Sequence, residues 1–143
     1  MTNHSGRDFY SVRESGQLAR WCGDIIQAGT VQLDTTRGEL QIDGRVVYLR
    51  PREMDLFAYL MCFHDRIVTT DELLCAVWQD IPSRTIKRTG LVRMTVSGIR
   101  KKIEWDWHEP RLLLSFTRHG YRLMIAPSYM RAEGLYKKRS LKR

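Results

Sequence analysis

TIKRTGLVRMTVSGIRKKI, residues 85–103, holds six basic side chains (Lys87, Arg88, Arg93, Arg100, Lys101 and Lys102) and no Asp or Glu. Val92, Val96, Ile99 and Ile103 recur at i, i+4, i+7 and i+11, which predicts a helix over about 89–104 with one core-facing stripe. Arg93, Ser97, Arg100 and Lys101 fall on the other side. After a linker at 105–110 come two apolar runs, 112–116 and 121–125, around the tight basic turn Thr117-Arg118-His119-Gly120. A basic helix followed by a basic-tipped hairpin can fill a DNA major groove while its tip reaches along the backbone. Charge runs are usually solvated faces. This one lacks any acid and lies opposite a core stripe, which favours contact with a polyanion.

Upstream, Thr69-Thr70-Asp71-Glu72 has the form of a capping box and opens a second helix with Leu73, Leu74, Val77 and Trp78 inward. The 79–88 segment contains Pro82 and Ser83 and reads as a loop. A helix over 51–65 starts at Pro51, with Glu53 in its first turn and an inward stripe of Met54, Phe57, Ala58 and Met61, extended by Leu60. Ile67-Val68 can add a brief strand. Three strands are predicted at 30–34, 39–43 and 45–49, the last two joined at Asp43-Gly44, a strong hairpin signal. Before them, Ser11-Val12-Arg13-Glu14 resembles another capping box. Leu18, Trp21, Cys22, Ile25 and Ile26 follow at helical spacing, and Gly29 supplies a stop, so an amphipathic helical extension is expected over 1–29. The stripe marked by Leu18, Trp21 and Ile25 is either a dimer or partner surface or a face that docks on the sheet. The order of elements predicts an α+β fold: a winged helix-turn-helix with an N-terminal antiparallel sheet, a three-helix core and a C-terminal β-hairpin wing, spanning 30–126, with a basic tail at 127–143.

The chain has 143 residues, enough for one domain with modest extensions, and 24 Lys+Arg against 16 Asp+Glu give a formal net charge of +8. The positive excess sits in 84–102 and in the tail. Such a balance argues for an anionic partner without identifying it. The longest uncharged apolar run, 56–63, is far below the ~18 residues needed to span a bilayer, and no apolar segment follows the N-terminus, so the expected location is cytoplasmic. Cys22, Cys62 and Cys75 lack metal or redox spacing and read as structural thiols. No histidine has a partner at metal-ligand spacing, and no Ser/His/Asp set or Gly-rich phosphate loop occurs. Neither catalysis nor a cofactor is expected.

Several pieces resemble the effector domain of OmpR/PhoB-type response regulators. Leu49-Arg50-Pro51-Arg52-Glu53-Met54-Asp55-Leu56-Phe57 is similar to that family's L-T-P-x-E-F-x-L-L, and Val68-Thr69-Thr70-Asp71-Glu72-Leu73-Leu74 with Val77-Trp78 is similar to V-x-S-R-E-x-L-L…V-W. Ile99-Arg100-Lys101-Lys102-Ile103 resembles L-R-x-K-L, and Gly120-Tyr121-Arg122-Leu123 closes a stretch like the wing signature T-V-R-G-x-G-Y-R-L. Each piece alone is weak; the set in this order, over about residues 30–125, is strong. The resemblance implies a third helix in the major groove, a wing at the minor groove, and a loop between the second and third helices facing RNA polymerase or its sigma factor. Residues expected at DNA are Lys87, Arg88, Thr89, Arg93, Thr95, Ser97, Arg100, Lys101, Arg118 and His119. Those expected at the polymerase are Asp80, Ser83 and Arg84. A homodimer is implied as well.

This chain departs from the pattern at informative places. Gly98 stands where the family usually has an Arg that often reads a base, Arg93 and Thr95 replace the Asp and His of V-D-V-H, and Thr117-Arg118 replaces the wing's R-G. Gly98 either lets the backbone approach the duplex closely or is tolerated at about 1 kcal/mol of helix propensity. The residues before the first predicted strand are too few for a receiver domain, so regulation without phosphorylation of this chain is expected. The leading expectation is a sequence-specific transcription regulator of double-stranded DNA. The alternatives are a winged-helix module that acts on RNA polymerase or another regulator with little DNA specificity, and a ribosome- or RNA-associated basic protein.

Overall fold

The structure, a computed structural model, describes residues 20–80 and 88–125. Five short strands come first: β1 (Arg20–Cys22), β2 (Ile25–Ala28), β3 (Val31–Asp34), β4 (Glu39–Ile42) and β5 (Arg45–Tyr48). They form one antiparallel sheet in sequence order. The β4–β5 turn carries Asp43 and Gly44 at φ 52° and 74°, the paired left-handed backbone that a two-residue hairpin of this twist requires. Alternation sets the buried face. Ile26, Leu33, Leu40 and Val47 stand directly opposite one another across four strands, while Gln27 and Gln41 point to solvent.

The expected helix over 1–29 is corrected here. Residues 20–22 and 25–28 are strands, so the first predicted strand is the third observed and the expected boundary at residue 30 falls inside the sheet. Gly23 and Gly29 (φ 64° and 55°) make turns instead of ending a helix. The pairs Trp21–Ile26 and Cys22–Ile25 fix the register. Helical spacing lost because Ile26 and Ala28 bury themselves completely or nearly so beside Leu33 and Leu40, and such burial overrides local pattern. Residues 11–14 and Leu18 lie outside the described residues. Trp21 sits in β1, and Ile25 is half-buried in β2, so the supposed helical stripe of Leu18, Trp21 and Ile25 is not one helix face.

Helix α1 (Pro51–Cys62) lies on the sheet and ends three residues earlier than expected. Leu56, Phe57, Ala58, Tyr59, Leu60, Met61 and Cys62 are all buried because α1 is covered by the sheet on one side and by the other helices on the rest. Met54, expected inward, is only partly buried. Helix α2 (Thr70–Val77) is capped by Thr69, whose Oγ1 accepts from Glu72 N at 3.0 Å. The side chain of Glu72 turns instead to Arg66, which donates to both its oxygens at 2.9 and 2.6 Å, while the Tyr59 hydroxyl donates to Glu72 Oε2. The Arg66 hydrogen bonds hold the Glu72 carboxyl below its ordinary range. Helix α3 (Arg88–Ile103) buries Val92, Val96, Ile99 and Ile103 as its stripe predicts. The hairpin β6 (Leu113–Phe116) and β7 (Gly120–Leu123) closes the fold.

Ile67-Val68 does not extend the main sheet. Val68 makes one antiparallel bridge to Tyr121, with N–H···O distances of 2.7 and 2.9 Å, and so ties the hairpin to the start of α2. Cys62 is buried, whereas Cys75 is exposed. Among the described residues no helix is long and apolar enough to cross a membrane.

Candidate nucleic-acid interface

The buried stripe of α3 fixes which side chains face out. A helix advances about 100° per residue, so Gly90, Met94, Ser97 and Lys101 lie along the ridge opposite the stripe. Arg93, Met94 and Lys101 are exposed, and Ser97 is half-buried. No acid occurs along α3, so its outward face is positive. Three basic residues close its last turn, where the helix dipole favours cations.

Those three are not alike. Lys101 points outward, with Nζ 4.8 Å from the centre of the Trp107 ring, which in turn stacks on His108 at 4.0 Å. Lys102 points inward: Nζ donates to Glu53 Oε1 at 2.6 Å and to the Tyr48 carbonyl at 3.1 Å. Arg100 is intermediate. Its Nε donates to the Leu113 carbonyl at 2.9 Å, and its Nη2 is buried with no hydrogen-bond partner among the described residues. Expected in the groove, Arg100 is also a strut between α3 and the hairpin. The Thr95 hydroxyl is engaged with the Leu91 carbonyl of its own helix at 2.8 Å.

Gly98 has a third explanation beyond the two expected. A Cβ there would stand 2.5 Å from Glu53 Oε2, so the glycine admits the buried Glu53 carboxylate against α3. That carboxylate also accepts from Arg50 N at 2.9 Å, at the start of α1. The position serves the contact between α1 and α3.

Glu104, just past α3, sets the hairpin. Its buried carboxylate accepts from the backbone N–H groups of Arg111, Leu112 and Leu113 at 2.8, 2.9 and 2.7 Å. Arg122 Nε anchors the far strand on the His64 carbonyl at 3.0 Å. The hairpin can sit this close because Gly120 (φ 140°) lies against Val68, where a Cβ would meet the carbonyl oxygen at 2.1 Å. At the tip, Arg118 holds left-handed backbone (φ 68°), and both Arg118 and His119 are exposed. A groove of about 560 Å³ runs between the start of α2, α3 and the hairpin. Its lining brings together Arg93, Arg118 and His119 and also includes one acid, Asp71.

Of the other expected residues, Lys87, Ser83 and Arg84 lie outside the described residues, and Arg88 and Thr89 open α3. Asp80 pairs with Arg52 Nη2 at 2.6 Å, and that hydrogen bond holds its carboxyl below the ordinary value. The same Arg52 reaches the Val77 carbonyl and lies 5.9 Å from the Trp78 ring, fixing the end of α2. Among the described residues no cluster of His, Cys, Asp or Glu can hold a metal ion. Sequence reasoning missed Met94, Glu104 and the Lys102–Glu53 pair. The α3 periodicity alone exposes Met94.

Residues 44–123 match the family model described as "Transcriptional regulatory protein, C terminal". The chain is 30% identical over 99 residues to the sensory transduction protein RegX3 of Mycolicibacterium smegmatis, and 29% identical over 99 residues to the transcriptional regulatory protein CutR of Streptomyces coelicolor. Each alignment covers 69% of this chain and 42% of the relative, so the chain spans less than half the length of either. Among solved structures, the RstA DNA-binding domain of Klebsiella pneumoniae, in complex with the RstA box, superposes with a TM-score of 0.57 at 21% identity. That match covers 69% of this chain and 95% of that domain, a likeness of fold.

Proposed function

The chain belongs to the family of transcriptional regulatory protein C-terminal domains, and from that membership we propose that it is a sequence-specific regulator that binds double-stranded DNA. In this reading α3 lies in the major groove, with Arg93, Ser97 and Lys101 turned to the duplex. The Arg118–His119 tip lies at the minor groove, where narrow A·T tracts have enhanced negative potential. Phosphate contacts supply most of the affinity, and the base edges facing α3 supply the choice of site. The observation that carries the reading is the meeting of Arg93, Arg118 and His119 in one groove beside a helix face without acids. The 79–88 loop faces RNA polymerase or its sigma factor, and the protein binds as a homodimer. Selection from random duplexes at two salt concentrations tests the proposal. A reproducible motif is expected, with affinity falling steeply as salt rises. Recovery of unrelated duplexes contradicts it.

A second reading has one observation in its favour. Position 98 holds a glycine packed on Glu53, so α3 offers no side chain there to read a base. A module that acts on RNA polymerase with little DNA preference fits that loss. It predicts no motif in the same selection, together with retention of RNA polymerase on the immobilised protein.

A further inference from the structure

Met94 is 74% exposed, more than any other large apolar side chain among the described residues. Its place on the helix is central. Val92, Val96, Ile99 and Ile103 face the core, and Met94 stands nearly opposite them with Lys101 two turns further along. Its neighbours on the same ridge are small: Gly90, with nothing within 4 Å of where a Cβ would be, and Ser97. Met94 therefore projects beyond the residues on either side of it. Exposed Arg93 adjoins it, and exposed Lys101 lies further along the same ridge. A protruding thioether flanked by cations on an acid-free helix face is poorly suited to water and well suited to a surface that is anionic overall yet apolar at one spot.

A DNA major groove is such a surface. Phosphates line it, and the 5-methyl of thymine is the apolar group on its base edges. An unbranched thioether with three rotatable bonds adapts readily to that contact. We infer that Met94 is a specificity-determining residue that packs against a thymine methyl, so that the recognised site carries an A·T pair beneath the middle of α3. The assignment rests on the DNA-reading function proposed above and names what one of its side chains reads.

The test uses the full chain and a duplex recovered by selection, with each thymine replaced in turn by deoxyuridine and affinity followed by fluorescence anisotropy at fixed salt. At one thymine the wild type is expected to bind roughly four-fold more weakly, as removal of one methyl from an apolar contact implies. Met94→Ala is expected to bind the thymine and uracil duplexes equally, and Met94→Leu to keep the discrimination. If no thymine is sensitive, or if Met94→Ala keeps the sensitivity at the same position, this assignment is wrong while DNA reading stands. If selection yields no motif, DNA reading fails and the assignment falls with it.

Discussion

The outward and inward sides of α3 carry the same kind of side chain and use it in opposite ways. Arg93 and Lys101 are both exposed, Lys101 with its Nζ over the Trp107 ring. Lys102, one residue on, closes over the buried Glu53 carboxylate, and Arg100, one residue back, holds the hairpin by the Leu113 carbonyl. A step of about 100° per residue separates these roles, so a count of basic residues overstates the charge that a partner meets. The inward cations position the outward ones. Lys102 fixes α3 on α1, while Arg100 and Glu104 fix the wing on α3.

Substitutions separate the two sets when ranked by their effect on folding stability. Glu104→Ala leaves three inward N–H groups without their carboxylate and is expected to cost roughly 3 kcal/mol, read as a lower midpoint in urea. Lys102→Met strips Glu53 of its ion-pair partner. Because the lysine is about one-third exposed, the loss should be about 1–2 kcal/mol, below the ~3–5 kcal/mol of a fully buried pair. Gly98→Ala sharpens the contrast through its sign. On an open helix the change gains about 1 kcal/mol, but here the new methyl displaces the Glu53 carboxylate, and a lower melting temperature is expected. A raised one would show that Glu53 moves aside freely.

What the sequence disclosed follows the range of each interaction. The α3 stripe and the Asp43-Gly44 hairpin are local patterns, and both formed as expected. The apolar spacing at 18–26 is helical, yet residues 20–22 and 25–28 pair as strands. The choice lay with the strands at 31–34 and 39–42, which no local pattern reports. The division of basic residues was hidden for the same reason. Lys102 is 49 residues from Glu53, and Arg100 is 13 from Leu113. Met94 was legible throughout, because the period that placed Val92 and Val96 in the core places position 94 outside it.

The smallest expected change in stability accompanies the loss on which the account turns. Arg93→Ala combined with Lys101→Ala should leave the unfolding free energy within about 0.5 kcal/mol of wild type, as exposed sites do. Anisotropy titrations of the double variant on the selected duplex, repeated across salt concentrations, test the central claim directly. Specific binding should be lost, and the slope of log affinity against log salt should shrink by about 0.9 for each phosphate contact removed. Unchanged affinity and slope would contradict the account.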